Sequence, residues 1–446
     1  MWLLFYSILA VYIIVKLKKN KKAFYNPTFW MFLGWTFLTG TYYTSGIHYN
    51  NPLKITGLAY FWAVFIAYAL GSHLGHLLVL RKTTVYSDRD LFTNTETEPF
   101  DFDRLADKTD KLYFFVTLSG LIVFLIDFTL HNGLFSVASS LDLHVSSQTS
   151  MIGTIGKIIT FLGLVIWLRE VSYSIINNKK LRFISYWSMM AYMIPGILTA
   201  GRQSFLILVV SSVTVFIYSL CQNPQYAYKS SFKRIGFVLI LFVLAFSVFI
   251  ALNRQQGVTN RIALLEYMAN SRFSSDTLSL LKMTGPFENF FLEILHYYSH
   301  ELPFFQIVFD NWEGPLALGA AQFQLISQNV PESSFFSYKA LWSSIERLSA
   351  MTGTYSHSWR TIAGSVVFDF GFIGGIIFII FLGVISGNIH KKSLNQRDPY
   401  KISMLGLVCA GAFFSIQFSP IGEVAWYYPV IWLLIIPHID KLLCRR

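Results

Sequence analysis

Residues 183–221 read FISYWSMMAYMIPGILTAGRQSFLILVVSSVTVFIYSLC, two apolar runs joined at a single charged residue, Arg202. Each run has about the length a bilayer core asks of a helix, roughly 17 to 25 residues, and Gly201 permits a turn between them. The pair therefore reads as two membrane-spanning helices meeting in a tight hairpin. Moving a guanidinium toward lipid costs at least a few kcal/mol, so Arg202 is either an anchor at the membrane surface or part of a site. Gln203 and Ser204 open the second helix, so its N-terminus and the guanidinium point at the same place, an arrangement that suits an anion. The alternative is a snorkelling arginine on lipid head groups.

The rest of the chain follows the same pattern. Of 446 residues 54% are hydrophobic, 17% aromatic and only 13% charged, which is too apolar for a soluble protein of this size. The net charge of +11 does not indicate nucleic acid, because the basic residues sit in short clusters at the ends of apolar runs. Cys221, Cys409 and Cys444 show neither a disulfide framework nor zinc spacing. The first apolar stretch has no preceding positive charge and no small-residue cleavage pattern, and it is expected to be a spanning helix rather than a signal peptide.

The expected fold is an all-α polytopic membrane protein with about eleven spans, at 2–16, 28–46, 56–80, 112–130, 151–172, 183–200, 203–221, 235–252, 361–389, 402–419 and 425–440. With the N-terminus outside and the C-terminus in the cytoplasm, 25 of the 35 Lys and Arg residues fall on the cytoplasmic side, as the positive-inside rule requires. The chain then divides into 1–252 with eight helices, an extracytoplasmic segment 253–360, and 361–446 with three helices. No internal repeat is visible, and the acidic run at 87–111 reads as a solvated cytoplasmic loop.

The remaining basic residues are the informative ones. Arg254 and Arg261 lie seven apart, on one face if helical, and Arg360 stands at the mouth of the ninth helix. Together with Arg202 they bring guanidinium groups from three elements to the outer boundary. Guanidinium forks bind phosphate oxygens bidentately and neutralise a leaving group without a bound cation. The opposing reading is that they balance acids, since 253–360 also carries nine Asp or Glu. Within it FFLEILHYYSHELPFF is amphipathic: Glu293, His296, Tyr297, His300 and Glu301 share one side, opposite Phe291, Ile294, Leu295, Tyr298 and Leu302. His296 and His300 have zinc-compatible i, i+4 spacing, but HExxH is absent and no third ligand is evident, so no metal is expected. A surface helix whose polar face meets a cavity is the expectation, with a His or Glu taking a proton from a hydroxyl. Trp312, Trp342, Tyr355 and Trp359 either stack on sugar rings or form an aromatic belt. Asp369 and Glu423 are carboxyls near the outer ends of the ninth and eleventh helices, a position that points to function or to pairing with arginine.

ILTAGRQSFLILVV, then a large outer segment, then TYSHSWRTIAGSVVFDFGFIGGIIFIIFLGVISG resembles the Wzy-type oligosaccharide repeat-unit polymerases of O-antigen, capsule and enterobacterial common antigen synthesis. Arg360 to Gly371 matches the R-x10-G spacing of outer loops in that family, whereas Arg202, Arg254 and Arg261 lack glycine at that offset. The resemblance implies a GT-C-like, metal-independent glycosyltransferase of the bacterial inner membrane, with its site on the extracytoplasmic side and no cofactor. Its donor would be a glycan on undecaprenyl pyrophosphate, its acceptor a new lipid-linked repeat unit, and its partner a Wzz-type chain-length regulator. The arginines would hold the leaving pyrophosphate, and His300, Glu301, His296 or His357 would serve as base, with His300 or Glu301 preferred. An O-antigen ligase uses the same donor, and His357 followed by Ser358 resembles its His-Asn element, with spacing to Gly371 three longer. A lipid-linked glycan flippase is the alternative without chemistry; it should show polar residues through several helix centres and only short loops.

Overall fold

The computed structural model describes residues 1–87, 102–132, 150–198, 203–225, 261–313, 316–354, 361–394, 397–417 and 419–444, and is mostly helical. The helices are α1 Trp2–Lys19, α2 Pro27–Thr44, α3 Ile55–Ser87, α4 Phe102–Asn132, α5 Met151–Thr160, α6 Leu162–Ile176, α7 Phe183–Leu198 and α8 Gln203–Gln222. They continue with α9 Arg261–Ala269, α10 Ser275–Met283, α11 Glu288–Ser299, α12 Glu301–Asn311, α13 Gln324–Ser327, α14 Tyr338–Thr352, α15 Ile362–Ser393, α16 Pro399–Phe414 and α17 Val424–Cys444. Two short strands, β1 Ile47–Tyr49 and β2 Ser271–Phe273, pair antiparallel with His48 opposite Arg272.

Among the described residues five segments are long and apolar enough to cross a membrane: Ile55–Val79, Thr109–His131, Met151–Ile176, Gln203–Gln222 and Ile362–Ser393. That is fewer than the eleven expected. Three further apolar helices, Phe183–Leu198, Pro399–Phe414 and Val424–Asp440, stand at expected positions but are shorter, and 235–252 lies outside the described residues. Helices α1 and α2 also form where expected, but α1 carries Lys16, Lys18 and Lys19 in its last turn, which lowers its apolar character. In Met151–Ile176 the helix is interrupted at Phe161, so α5 and α6 are separate elements.

The apolar segments differ in what they face. In the most apolar 18 residues of Gln203–Gln222, 67% are buried, whereas in those of Ile362–Ser393 only 28% are, although the latter is the more apolar of the two. Its exposed Ile373, Ile377, Phe381 and Ile385 recur every four residues, and Ile122, Ile126 and Leu130 do so on α4. Such stripes are stable on a helix surface where the surroundings are apolar, as in a bilayer.

The chain forms two compact units. The first comprises Met1–Ser72, Phe242–Gly383 and Gly411–Val424. Pro27 occupies the first turn of α2 and the Asn26 side chain accepts the Thr28 N–H at 2.9 Å, a start signal for a helix. Gly71 of α3 and Gly383 of α15 pack backbone to backbone, so a Cβ at either would strike the facing chain; small residues allow this close approach of apolar helices. Trp35 stacks on Phe61 at 3.7 Å between centroids and donates its indole N–H to Ser415 Oγ at 2.9 Å. The segment 261–354 contributes to two cores. Trp2, Ile47, Tyr49, Leu265, Phe273, Leu281, Leu292 and Leu295 fill one, and Phe304, Ile307, Val308, Leu341, Ile345, Val367 and Phe368 fill the other.

The second unit comprises His73–Leu241, Val384–Ala410 and Ala425–Arg446. Its centre of charge is Arg169 of α6, only 2% exposed. Arg169 pairs with Asp110 of α4, lies 3.6 Å from Asp440 of α17 and donates to the Tyr400 hydroxyl of α16 at 2.6 Å. Asp440 accepts the Tyr113 hydroxyl at 2.6 Å and also that of Tyr400. Arg182 reaches in from the turn before α7, donating to Glu170 at 2.9 and 2.5 Å and pairing with Asp110. Arg169 and Arg182 are among the 25 basic residues counted on the cytoplasmic side; the structure takes both into a network that ties four helices. Removing Arg169 leaves Asp440 with tyrosine hydroxyls alone and Asp110 with Arg182 alone, both carboxylates being buried, and breaking a buried pair in this way costs about 3–5 kcal/mol. Arg169→Met is therefore expected to destabilise the detergent-solubilised protein by about that amount in a denaturant titration. Lys54→Met, which breaks the exposed Lys54–Asp310 pair, should change it by less than about 1 kcal/mol.

Candidate functional site

The amphipathic stretch is two helices, not the single one expected. Pro303 has no N–H to donate to the Ser299 carbonyl four residues back, and its ring crowds that carbonyl, so α11 ends at Ser299 and α12 begins at Glu301. The chain stays near-helical through His300, with His300 N–H on His296 O and Phe304 N–H on His300 O, both at 3.1 Å. The bend turns the polar side inward rather than toward open solvent: Glu293, His296, His300 and Glu301 are all buried, as are Leu295 and Leu302 opposite.

What these groups meet defines the site. Glu293 pairs with Arg261, the first residue of α9, so this arginine sits against an acid, the balancing role that the sequence leaves open beside pyrophosphate binding. His296 Nε2 lies 2.9 Å from Leu265 O, and His300 Nδ1 lies 2.7 Å from His296 O. A carbonyl only accepts, so each of these nitrogens carries the proton and the other ring nitrogen keeps a lone pair. In His300 that second nitrogen, Nε2, lies 3.6 Å from Glu301 Oε1. The two imidazoles stand 4.9 Å apart between centroids. Burial pulls the His300 pKa down to about 4. Burial, then the neighbouring His300, holds His296 well below the ordinary range. Both rings are neutral at pH 7. The Tyr49 hydroxyl, 2.5 Å from Ser299 Oγ, is pushed up by the same burial. A neutral imidazole with its lone pair beside a carboxylate can accept a proton and stabilise the resulting charge.

Asp369 and Glu423 belong to a second group of residues. Gly371 has φ 68 and ψ −174 inside α15, a conformation glycine adopts at little cost, so the expected continuous helix is kinked there. The kink releases carbonyls that 316–322 takes up: Ala317 N–H donates to Phe368 O and Leu318 N–H to Asp369 O, each at 3.0 Å. The Asp369 carboxylate accepts the Ala321 and Gln322 N–H groups at 2.9 and 3.0 Å. Gln322 receives the Ser419 hydroxyl, and Gly422, next to Glu423, lies against the Ala321 carbonyl. Asp369 thus pins a loop through backbone N–H groups. Of the aromatic residues singled out, Trp312 packs on Phe368 at 4.4 Å and Trp342 stacks with Tyr338 at 6.0 Å. Arg202, Arg254, His357, Arg360, Tyr355 and Trp359 lie outside the described residues.

The sequence reading misses Tyr49, Ser299 and the Leu265 carbonyl as members of the site. Tyr49 and Ser299 are 250 positions apart, and no local pattern joins them. No family model matches the chain, and no curated protein or solved structure is similar to it.

The histidine environment sets a pH response. A histidine with pKa near 6.5 when unfolded and about 4 when folded binds more protons in the unfolded chain between those values. Its contribution to stability is complete above pH 6.5 and declines as pH falls toward 4. The slope is on the order of 1 kcal/mol per pH unit for each such ring. Stability followed from pH 7.5 to 4.5 should fall accordingly, and less steeply in His300→Gln.

Proposed function

We propose that the chain is a metal-independent integral membrane glycosyltransferase that joins lipid-linked oligosaccharide repeat units. In this reading it spans the bacterial inner membrane about eleven times in a GT-C-like arrangement, with its N-terminus and its site outside the cytoplasm. The observation that carries the reading is the neutral His300, its Nδ1–H committed to the His296 carbonyl and its Nε2 beside Glu301, in the long segment that also supplies Arg254, Arg261 and Arg360. The glycine of the R-x10-G spacing adds support, because Gly371 has a backbone conformation that favours glycine.

The acceptor hydroxyl of the incoming repeat unit gives its proton to the His300–Glu301 pair as its oxygen bonds to the anomeric carbon of the growing glycan. The bond from that carbon to the undecaprenyl pyrophosphate oxygen breaks, and the pyrophosphate leaves with the electron pair. Arg202, Arg254 and Arg360 hold it through guanidinium forks, with Arg261 tied to Glu293; an ammonium cannot match this geometry.

Deleting the chain in its host and displaying the surface glycan on a gel tests the reading. A polymerase defect leaves a single repeat unit on the lipid A core. A ligase defect leaves bare core with polymer retained on its carrier, and a flippase defect strands single units inside. His300→Gln and Glu301→Gln in the complementing copy should lower polymerisation by about 10² to 10⁴ if that pair is the base. Arg360→Lys, which keeps the charge, should cost about 2–4 kcal/mol of transition-state stabilisation. Long chains restored by all three variants would remove the proposed roles.

A further inference from the structure

The loop that Asp369 pins holds a leucine in a conformation leucines avoid. Leu318 has φ 46, where the Cβ crowds the neighbouring carbonyl, and glycine would occupy that position at less cost. The strain is sustained because both sides of the turn are fixed: Ala317 and Leu318 donate to the freed carbonyls of Phe368 and Asp369, and the Asp369 carboxylate takes the Ala321 and Gln322 N–H groups. The turn directs Ala317 and Ala320 into the core and Leu316 and Leu318 outward, where they are 46% and 51% exposed. In water this arrangement has no benefit, since it combines backbone strain with exposed apolar surface.

The surroundings identify what covers the two leucines. Leu316 Cδ2 lies 3.5 Å from the point where a Cβ on Gly371 would be, so the turn adjoins the start of the exposed stripe Ile373, Ile377 and Phe381 on α15. Past the kink, residues 372–393 alone make about 33 Å of helix at 1.5 Å per residue, enough to cross a hydrocarbon core of about 30 Å. A bilayer boundary at Gly371 is therefore compatible with the length of helix that follows it. Aromatic residues surround the same level, as they do at membrane interfaces: the Tyr60 hydroxyl donates to Phe372 O at 2.9 Å, and the Phe309 ring stands 5.0 Å from that of Phe372.

We infer that Leu316 and Leu318 form a wedge that dips into the acyl-chain margin of one leaflet beside α15, with bilayer lipid as its partner. The wedge fixes the depth of the kink and holds the Asp369 loop against the membrane. This rests on the membrane-embedded reading alone and does not depend on the transferase chemistry.

The test uses the full chain reconstituted in phosphatidylcholine and phosphatidylglycerol vesicles, with Cys221, Cys409 and Cys444 replaced by alanine and thermal stability checked against the native chain. A polarity-sensitive fluorophore is placed at Leu318→Cys, at Ile373→Cys on the stripe, and at the exposed Ser279→Cys on α10. The first two should emit at shorter wavelength than the third and lose most of their emission to lipids carrying a nitroxide on the acyl chain. Emission at Leu318→Cys matching Ser279→Cys, without quenching, overturns the inference. A shielded but unquenched label that transfers energy between copies also overturns it, in favour of a self-contact. Leu318→Gly relieves the strained backbone and removes the side chain. Thermal stability should hold or rise, while a label at Leu316→Cys loses much of its quenching; a label equally quenched in both backgrounds would show that Leu318 is not the anchor.

Discussion

A polar group enclosed by apolar side chains must find its partner inside the protein, because neither water nor lipid is there to supply one. This constraint recurs wherever the structure departs from plain helix. Arg169 is held by two carboxylates and a tyrosine from other helices. The carbonyls released at Gly371 are taken up by a loop more than fifty residues earlier in the chain. Buried His296 and His300 each commit one nitrogen to a backbone carbonyl. The first arrangement holds helices together, the second holds a bend, and the third leaves neutral rings with a lone pair available.

These solutions differ in what they leave for chemistry. In the Arg169 network acids and bases neutralise one another at close range, and Tyr113 and Tyr400 take up remaining acceptor capacity on Asp440; such a cluster gives rigidity and specific helix pairing. The His296–His300–Glu301 group is less fully compensated. Its rings are kept uncharged by burial rather than charged by a partner, and perturbation of this kind by desolvation is a property shared with proton-transfer sites. Asp369 stands closer to the first case, since backbone N–H groups, those of Ala321 and Gln322 among them, occupy its carboxylate.

The positions of the long apolar helices were legible from the sequence, because run length and charge at the ends carry that information directly. Ile55–Val79, Gln203–Gln222 and Ile362–Ser393 begin within a residue of the expected spans. The closeness of His296 and His300 was legible too, from helical spacing. Their burial was not, since periodicity identifies a polar face without naming what covers it. Pro303 was a usable signal for the break after α11, and the glycine at 371 gave a weaker one for the kink. The charge network was out of reach: Tyr113 and Asp440 are 327 positions apart, and a charge in a short loop looks the same in sequence whether it faces solvent or turns inward.

The ribbon of β1 and β2 joins Ile47 to Phe273, and this long sequence separation bears on how the chain is made. Ribosomes add about 5 to 20 residues per second, so β1 waits on the order of 10 to 45 seconds for its partner. Throughout that interval Trp2, Ile47 and Tyr49 lack the Leu265, Phe273 and Leu292 side chains that later enclose them. The unit they belong to is closed only when Gly411–Val424 arrives. Synthesis therefore leaves the Trp2, Ile47 and Tyr49 side chains without these partners until the segment carrying Leu265, Phe273 and Leu292 has emerged.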